Sequence, residues 1–276
     1  MSKLMTVYMV FELLKDGRLS LDDKFLVSKK AWRKGGSKMF VSINSRVSVG
    51  DLLRGIIVQS GNDACIVVAE GLASSEEAFA EEMTARAKEL GLKNSVFKNS
   101  TGWPDPEHLT TARDLAILAQ RTIEDFPGFY HYYKETEFTY NGIRQINRNP
   151  LLYRDIEVDG LKTGHTQDAG YGLTASATKG DRRLILVVNG LASKKERRRE
   201  PDRLLAWGLR EFNNYKLFSA GEEVTKAEIW LGKEAQVTLM IEKEMLITLS
   251  RKARRKMKVA VHMESPVPAP IAKGQK

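Results

Sequence analysis

Three short clusters in this sequence combine side chains that could do chemistry. Met1-Ser2-Lys3 places a hydroxyl beside an amine, Ser60-Gly61-Asn62 a hydroxyl beside an amide, and Lys162-Thr163-Gly164 an amine beside a second hydroxyl. A hydroxyl becomes a nucleophile when a neighbouring base accepts its proton, and a lysine with a threonine on an edge strand can bind a carboxylate. Each of the last two clusters, taken alone, is more often a helix cap or the start of a strand.

The first cluster restricts which residue could be a nucleophile. Apolar residues recur at helical spacing from Leu4 to Leu14, so Lys3 lies at the head of an amphipathic helix. Burial there would lower the pKa of the lysine from about 10.4, and the amine could then act as a base. Adjacent helical residues point roughly 100° apart, so Ser2 and Lys3 face different ways. A serine three residues before Lys3 would occupy the position immediately preceding Met1.

The composition excludes several kinds of site. The chain has 276 residues, a single cysteine and four histidines without the close spacing of a zinc site. An intrachain disulfide is therefore excluded, and we expect neither a metal nor a cofactor. The formal net charge is +9, of which residues 213–276 carry +5. This bias suits an anionic partner, whether wall polymer, lipid headgroups or nucleic acid.

The apolar periodicity predicts helices around a smaller number of strands in the first three quarters of the chain. Helical patterns run on both sides of residue 60, and we expect Ser48 and Asn62 to be the N-caps of two consecutive helices. Asn141-Gly142 predicts a β hairpin with a type I′ turn. The segments 173–177 and 184–188 predict a second antiparallel pair, and residues 199–212 a closing helix.

The last quarter of the chain has a different pattern. Short β-rich segments are predicted at 227–231, 236–241, 245–249 and 258–262, followed by a turn or linker over 265–276 that contains three prolines. We therefore predict two domains, a helix-rich α/β domain over residues 1–212 and a small β-rich domain over residues 213–276.

The sequence resembles the low-molecular-weight penicillin-binding proteins, the serine D-alanyl-D-alanine carboxypeptidases, over its whole length. That family carries S-x-x-K, S-x-N and K-T-G motifs. The strings that carry the resemblance are Ser2-Lys3-Leu4-Met5-Thr6, Gln59-Ser60-Gly61-Asn62-Asp63-Ala64, Thr111-Ala112-Arg113-Asp114, Asn141-Gly142-Ile143-Arg144-Gln145 and Asp159-Gly160-Leu161-Lys162-Thr163-Gly164-His165-Thr166. The resemblance implies a penicillin-binding, β-lactamase-like transpeptidase domain, with helices around an antiparallel sheet, followed by a small all-β domain.

The resemblance also implies roles for residues on both walls of a site. Lys3 would be the general base, Ser60 would relay a proton and help to activate the deacylating water, and Asn62 would hold the substrate amide. The residues implied for the carboxylate end are Lys162, Thr163 and Gly164, the backbone N–H of His165 as half of an oxyanion hole, and Arg148 as a further candidate.

In the family the nucleophile is the first serine of S-x-x-K, whose two intervening positions are here Met1 and Ser2. We therefore expect the nucleophile at the residue preceding Met1, and the chain to be truncated at both ends, without the family's export signal and C-terminal membrane anchor. The implied full-length protein is periplasmic and associated with the inner membrane. Its implied partners are peptidoglycan stem peptides, with β-lactams as covalent inhibitors.

Two functions other than that of a carboxypeptidase, and one partner other than peptidoglycan, have to be considered. A class A β-lactamase shares the three-motif pattern, but Gly61 stands where that class has aspartate, and no E-x-x-L-N string is present. A wall-binding pseudoenzyme would fit a chain that begins at Met1. The basic runs 197–199 and 251–256 could bind nucleic acid, although solvated faces, or attraction to anionic wall and lipid, are the favoured interpretation in an exported protein. We expect no nucleic-acid partner.

Overall fold

A computed structural model of the chain describes residues 1–154, 157–263 and 265–274. Packing divides it into two compact units, Met1–Ala206 and Trp207–Lys276. The helices are α1 (Lys3–Lys15), α2 (Lys29–Arg33), α3 (Val49–Ile57), α4 (Asn62–Ala73), α5 (Glu76–Glu89), α6 (Ala112–Asp125), α7 (Lys194–Glu211) and α8 (Arg251–Lys256), with 3₁₀ turns at Tyr130–Lys134 and Pro150–Tyr153. The strands are β1 (Lys24–Leu26), β2 (Arg46–Ser48), β3 (Glu137–Tyr140), β4 (Ile143–Ile146), β5 (Val158–Thr166), β6 (Gly170–Lys179), β7 (Arg182–Leu191), β8 (Phe212–Phe218), β9 (Glu223–Trp230), β10 (Gln236–Met240), β11 (Met245–Ser250) and β12 (Val267–Pro268).

The first helix forms the centre of the larger unit. Leu4, Val7, Val10 and Phe11 are fully buried, and further buried residues occur on almost every side of α1. A helix that is apolar all round lies inside a core rather than on its surface. α1 packs against α3, α4, α5 and α6 and also touches β5. The first turn of α1, with Lys3, is therefore held between the helical core and the sheet.

The junction between α3 and α4 differs from the predicted cap. Ser48 does cap α3, since its side chain accepts a hydrogen bond from the Asp51 N–H. The N-cap of α4 is Gly61 rather than Asn62, which is the first helical residue. Ser60 has a φ of +63°, a left-handed conformation that is uncommon for a residue with a side chain. The tight junction leaves the Asn62 side chain free to make contacts other than a cap.

The three-stranded sheet of the larger unit has the order β5-β6-β7 and is antiparallel throughout. Leu161, Leu173 and Ala175 are fully buried on it, and Lys162 pairs with Thr174. Within the described residues no strand pairs with the outer side of β5. The strand that carries residues 162–166 is thus an edge strand of this sheet, as the carboxylate-binding prediction requires.

The predicted hairpins are confirmed. Asn141 and Gly142 have φ values of +47° and +73°, as a type I′ turn demands, and they join β3 to β4. β6 and β7 contain the predicted pair and extend it to Lys179 and Arg182. α7 begins at Lys194, earlier than the predicted residue 199.

In the smaller unit, β8 pairs with β11, β9 with β10, and β12 runs parallel to β9. The predicted strand at 258–262 is wrong, because no described strand lies beside this alternating segment and a strand needs a hydrogen-bonded neighbour. The prediction that the tail holds only a turn or linker is also wrong, since Val267 and Pro268 pair with β9.

The predicted domain boundary after residue 212 stays a prediction. Residues 275–276, at the end of the predicted second domain, lie outside the described residues. None of the helices among the described residues is both long and apolar enough to cross a membrane.

Candidate active site

The three clusters meet at one cleft of about 840 Å³ in the larger unit. Its walls come from the start of α1, the α3–α4 junction, the 36–37 and 101–104 loops, β5 and the start of α7. Seven of the eight predicted site residues line it, namely Lys3, Ser60, Asn62, Arg148, Thr163, Gly164 and His165. Lys162 is the eighth; it is 2% exposed and lies beneath the β5 wall.

Lys3 has the surroundings of a general base. Its ammonium is buried, and it donates hydrogen bonds to the Asn62 Oδ1 at 2.7 Å and to the Thr101 carbonyl oxygen at 2.6 Å. Burial is the main cause that lowers the pKa of Lys3, and the positive charge of Arg148 lowers it further. A neutral amine has two N–H donors and one lone pair. The two acceptors can therefore take both donors, which leaves the lone pair of Lys3 free to accept a proton.

Asn62 connects this base to the opposite loop. Its Nδ2 donates to the Gly35 carbonyl oxygen at 2.9 Å, and its backbone N–H donates to the Ser37 carbonyl oxygen at 2.7 Å. The neighbouring Asp63 is buried, and its carboxylate accepts the backbone N–H groups of Met39, Phe40 and Val41. The loop that faces Lys3 across the cleft is thus fixed by the first two residues of α4.

The β5 wall supplies cations and hydroxyls. The Lys162 Nζ donates to the Thr163 carbonyl oxygen at 3.3 Å, and burial, followed by the charge of Lys3, holds the pKa of Lys162 well below its usual range. Thr163 lines the cleft and is nearly buried. His165 is exposed, and its ring lies 3.9 Å from that of Tyr171. These contacts leave the backbone of residues 163–165 facing the cleft from an edge strand.

Gly164 allows α1 and β5 to approach closely. A Cβ placed on Gly164 would lie 2.8 Å from the Met1 Cγ and 2.9 Å from the Met1 backbone nitrogen. Side-chain atoms are not found at such distances from backbone atoms, so glycine is required for this contact. Met1 therefore lines the cleft with its backbone nitrogen close to β5.

Two arginines extend the positive charge along the cleft. The Arg148 Nη1 donates to the Ser37 Oγ at 2.5 Å, and burial lowers the pKa of Arg148. For the basic run 197–199 the favoured interpretation is a solvated face or attraction to anionic wall and lipid, and at Arg197 the solvated face is wrong. Arg197 is partly buried in the cleft, with its guanidinium over the Tyr171 ring and its Nε without a hydrogen-bond partner.

None of these basic residues has a carboxylate within ion-pair distance among the described residues, although Asp168 also lines the cleft. This holds for Lys3, Lys162, Arg148 and Arg197. Half-buried cations without a carboxylate partner attract an anionic group from solution. The arrangement therefore combines a base, an amide and an anion site, as acyl transfer from a carboxylate-bearing substrate requires.

Sequence reasoning missed three contributors to the cleft. The Thr101 carbonyl that accepts from Lys3 is a backbone group and has no sequence pattern. Trp103 lies on the same loop, 43% exposed at the rim. Arg197 did carry a usable signal in the sequence, because the apolar residues Pro201 and Leu205 follow it at helical spacing. A helix extended back to residue 194 would have placed Arg197 on the inward face.

Comparison with known proteins agrees with this geometry. Residues 1–193 match the family described as D-alanyl-D-alanine carboxypeptidase, and residues 212–276 match the C-terminal domain of penicillin-binding protein 5. The D-alanyl-D-alanine carboxypeptidase DacC of Escherichia coli is 41% identical over all of this chain and 71% of its own length. The carboxypeptidase DacF of Bacillus subtilis is 36% identical over all of this chain and 72% of its own length.

Solved structures give the same result. Penicillin-binding protein 5 of Haemophilus influenzae is 40% identical, with a TM-score of 0.89 over 99% of this chain and 81% of that one. Penicillin-binding protein D2 of Listeria monocytogenes, solved in its ampicillin-bound form, is 28% identical, with a TM-score of 0.69 over 76% of this chain and 86% of that one. The predicted fold class is confirmed, with α8 as a short helix in the β-rich unit. The chain belongs to the serine-type D-alanyl-D-alanine carboxypeptidases, the family of the low-molecular-weight penicillin-binding proteins.

Proposed function

We propose that this cleft removes the terminal D-alanine from peptidoglycan stem peptides through an acyl-enzyme. The observation that carries the proposal is the placement of the buried base Lys3 in one cleft with Thr163 on the edge strand β5 and Arg197 on α7. The terminal carboxylate of the substrate binds Thr163 and Arg197, with the Lys162 amine beneath them. The scissile carbonyl then lies between α1 and β5, and the Asn62 amide holds the acyl portion.

The proposed acylation begins at a serine hydroxyl on the residue joined to the Met1 nitrogen. Lys3 accepts the hydroxyl proton as the oxygen attacks the carbonyl carbon. Negative charge develops on the carbonyl oxygen, where the backbone N–H groups of that serine and of His165 stabilise it. Lys3 then returns this proton through the Ser60 hydroxyl to the departing amine, and the C–N bond breaks, which releases D-alanine and leaves Lys3 neutral and Ser60 protonated.

Deacylation follows the reverse order of proton transfers. A water molecule loses a proton to Lys3, with the Ser60 hydroxyl in the relay, and attacks the ester carbon. The serine oxygen leaves and regains a proton, so the products are the shortened peptide and the free enzyme. β-Lactams present a carboxylate and a strained amide in the same relation, and we expect them to acylate the same hydroxyl.

The proposal includes a place of action. A D-alanyl-D-alanine substrate of the wall implies the periplasm, and we propose that the full-length protein associates there with the inner membrane. The charge of residues 213–276, a net +5, is consistent with attraction to an anionic surface.

A pair of proteins that differ by one side chain tests the activity. Residues 1–276 are prepared with either serine or alanine joined to the Met1 nitrogen, and D-alanine release from an acetylated L-lysyl-D-alanyl-D-alanine peptide is measured. We expect release by the serine form only. Equal release by both forms would place the nucleophile elsewhere, and release by neither, with both folded, would favour the pseudoenzyme.

A further inference from the structure

Trp103 is an exposed aromatic residue held rigidly at the rim of the cleft. The Asn99 side chain fixes its backbone at both polar groups, since Oδ1 accepts the Trp103 N–H at 2.9 Å and Nδ2 donates to the Trp103 carbonyl oxygen at 3.0 Å. Its indole nevertheless remains 43% exposed. A large apolar ring that stays exposed to water on an anchored backbone is a surface suited to binding a ligand.

The indole lies on the Asn62 side of the cleft. Gly36 has a φ of +79°, and a Cβ placed there would lie 2.8 Å from the Asn62 Nδ2 and 3.2 Å from the Trp103 Cζ3. The ring is therefore packed over Gly36, next to the amide that holds the acyl portion in the proposed function. The terminal carboxylate binds at the other end, near Arg197, so Trp103 faces the part of the substrate that remains after cleavage.

A cation accompanies the ring. The Lys34 Nζ lies 4.2 Å from the Trp103 ring centroid, and no ion pair among the described residues includes Lys34. Arg148, which contacts Ser37 on the same loop, also has no carboxylate partner there. The rim at this end of the cleft thus offers one apolar ring beside two basic residues, Lys34 and Arg148, that have no carboxylate partner among the described residues.

We propose that Trp103 and Lys34 form a subsite for the side chain of the residue that precedes the two D-alanines. The side chain that fits is an aliphatic chain ended by a carboxylate, with its methylene groups on the indole and its carboxylate at Lys34. This inference rests on the proposed function, because that function sets the direction in which the substrate lies.

The test uses four ligands of the form N-acetyl-X-D-alanyl-D-alanine, each with the scissile amide replaced by a hydroxyethylene group so that it cannot be hydrolysed. X is L-2-aminoadipate, L-norleucine or L-lysine, and the fourth ligand is the aminoadipate compound with its C-terminal carboxylate amidated. Binding to residues 1–276 is measured by calorimetry at low and high salt. The variants are Lys34→Met, Trp103→Ala and Trp103→Phe. The matched controls are Lys29→Met and Trp32→Ala, at exposed residues outside the cleft.

We expect aminoadipate to bind more tightly than norleucine, and norleucine more tightly than lysine, by about two- to fivefold at each step, the size of an exposed charge pair. Lys34→Met or 0.5 M salt should remove this order. Trp103→Ala should weaken all three ligands about tenfold, as expected for the loss of ~60 Å² of apolar contact, and Trp103→Phe should weaken them less. The control variants should bind as the unchanged protein does.

The outcomes separate the inference from the proposed function. Equal binding of the three side chains, with weaker binding of the amidated ligand, would overturn the subsite and leave the proposed function standing. Binding that is unchanged by amidation would overturn the carboxylate site near Arg197, and the inference with it.

Discussion

Lys3 and the cations around it define the chemistry at the scale of single residues. The buried amine has two fixed acceptors, in Asn62 and Thr101, and the nearby charges of Arg148 and Lys34 disfavour its protonation. A base with a lowered pKa is neutral over a wider range of pH, so acylation should persist to a lower pH than an ordinary lysine would allow.

Removing a neighbouring charge should therefore move the pH profile. Arg148→Gln removes one of the charges that lower the pKa of Lys3, so that pKa should rise. Because the neutral amine is the active form in the proposed mechanism, the acidic limb of the acylation rate should move to higher pH. The measurement is the rate of penicillin acylation against pH, in the form with serine joined to Met1. Arg154→Gln, at an exposed arginine, is the control, and an unshifted limb in Arg148→Gln would contradict the coupling.

Lys162 should affect binding and acylation together. Its Nζ lies beneath Thr163, where the amine supports the proposed carboxylate site without lining the cleft. We expect Lys162→Ala to reduce kcat/KM and the rate of acylation by penicillin by on the order of 2–4 kcal/mol, as for the loss of a partner of a buried charge. A penicillin acylation rate that stays unchanged in steady-state and rapid-mixing assays would show that the 162–164 motif has another role.

At the scale of single residues, the sequence predicts which side chains belong to the candidate site better than it predicts the groups that surround them. Lys3, Ser60 and Thr163 can be identified because their motifs are contiguous. The Thr101 carbonyl cannot, since a backbone acceptor depends only on where the 99–104 loop passes. Arg197 was misassigned because its helix begins five residues earlier than predicted, which changes the apparent face of that residue.

At the scale of elements, the site depends on how closely α1, α4 and β5 can approach one another. Gly164 is the contact between α1 and β5, and Asp63 at the start of α4 holds the loop over the cleft. Residue 164 has to be glycine because a side chain would meet Met1, and residue 63 has to be acidic because its carboxylate accepts the loop N–H groups. Each requirement gives a prediction.

Gly164→Ala should separate α1 from β5. The added methyl group would lie within 3 Å of the Met1 backbone, so the start of the helix or the strand has to shift by several tenths of an ångström. A shift of this kind between base and carbonyl lowers rates strongly, and we expect acylation to fall by about 100-fold. Gly128→Ala, in a loop where a Cβ meets no atom within 4 Å, is the matched control. Stopped-flow acylation that is equally fast in both variants would show that the close approach is not required.

Asp63→Asn should loosen the loop over the cleft. The carboxylate accepts three consecutive loop N–H groups and that of Ala64, and an amide can replace only part of this acceptance. The expected loss in the free energy of unfolding is about 2–3 kcal/mol, from buried donors left without partners. Urea denaturation measures it, with Asp22→Asn as the exposed control. Faster hydrogen exchange confined to Met39, Phe40 and Val41 would accompany the loss; protection equal to that of the unchanged protein would contradict it.

Element types were predictable where local chemistry decides them. Ser48, with Asp51 three residues later, defines a helix start, and Asn141-Gly142 defines a hairpin turn. The segment 258–262 shows the opposite case, because alternation alone does not provide a partner strand. Pairing depends on distant residues, and a single sequence carries no record of it.

At the scale of the whole molecule, the candidate active site lies in the larger unit, whereas more than half of the net positive charge lies in residues 213–276. Every residue that lines the cleft belongs to Met1–Ala206. Residues 213–276 carry a net +5, and five of the six residues of α8 are basic and exposed or nearly so. The fold class and both family matches agree with the architecture expected from the motifs.

The charge on α8 should govern attraction to an anionic surface. Each basic residue near such a surface contributes about 1 kcal/mol, so Arg254→Glu with Arg255→Glu should weaken binding to phosphatidylglycerol vesicles at least about tenfold at low salt. Lys226→Glu with Lys233→Glu makes the same change in net charge outside α8. Sedimentation with vesicles compares the two pairs, and equal effects would show that net charge, not α8, is responsible.

In the proposed mechanism Lys3 activates the side-chain hydroxyl of a serine joined to the Met1 nitrogen. That hydroxyl attacks a D-alanyl-D-alanine carbonyl or its β-lactam analogue. The most direct measurement is mass spectrometry with peptide mapping after penicillin treatment of the serine-extended chain and of its Lys3→Met variant. We predict one penicilloyl group on the added serine and none in Lys3→Met over the same time. An adduct on Ser2 or Ser60, or an equal adduct in Lys3→Met, would contradict this mechanism.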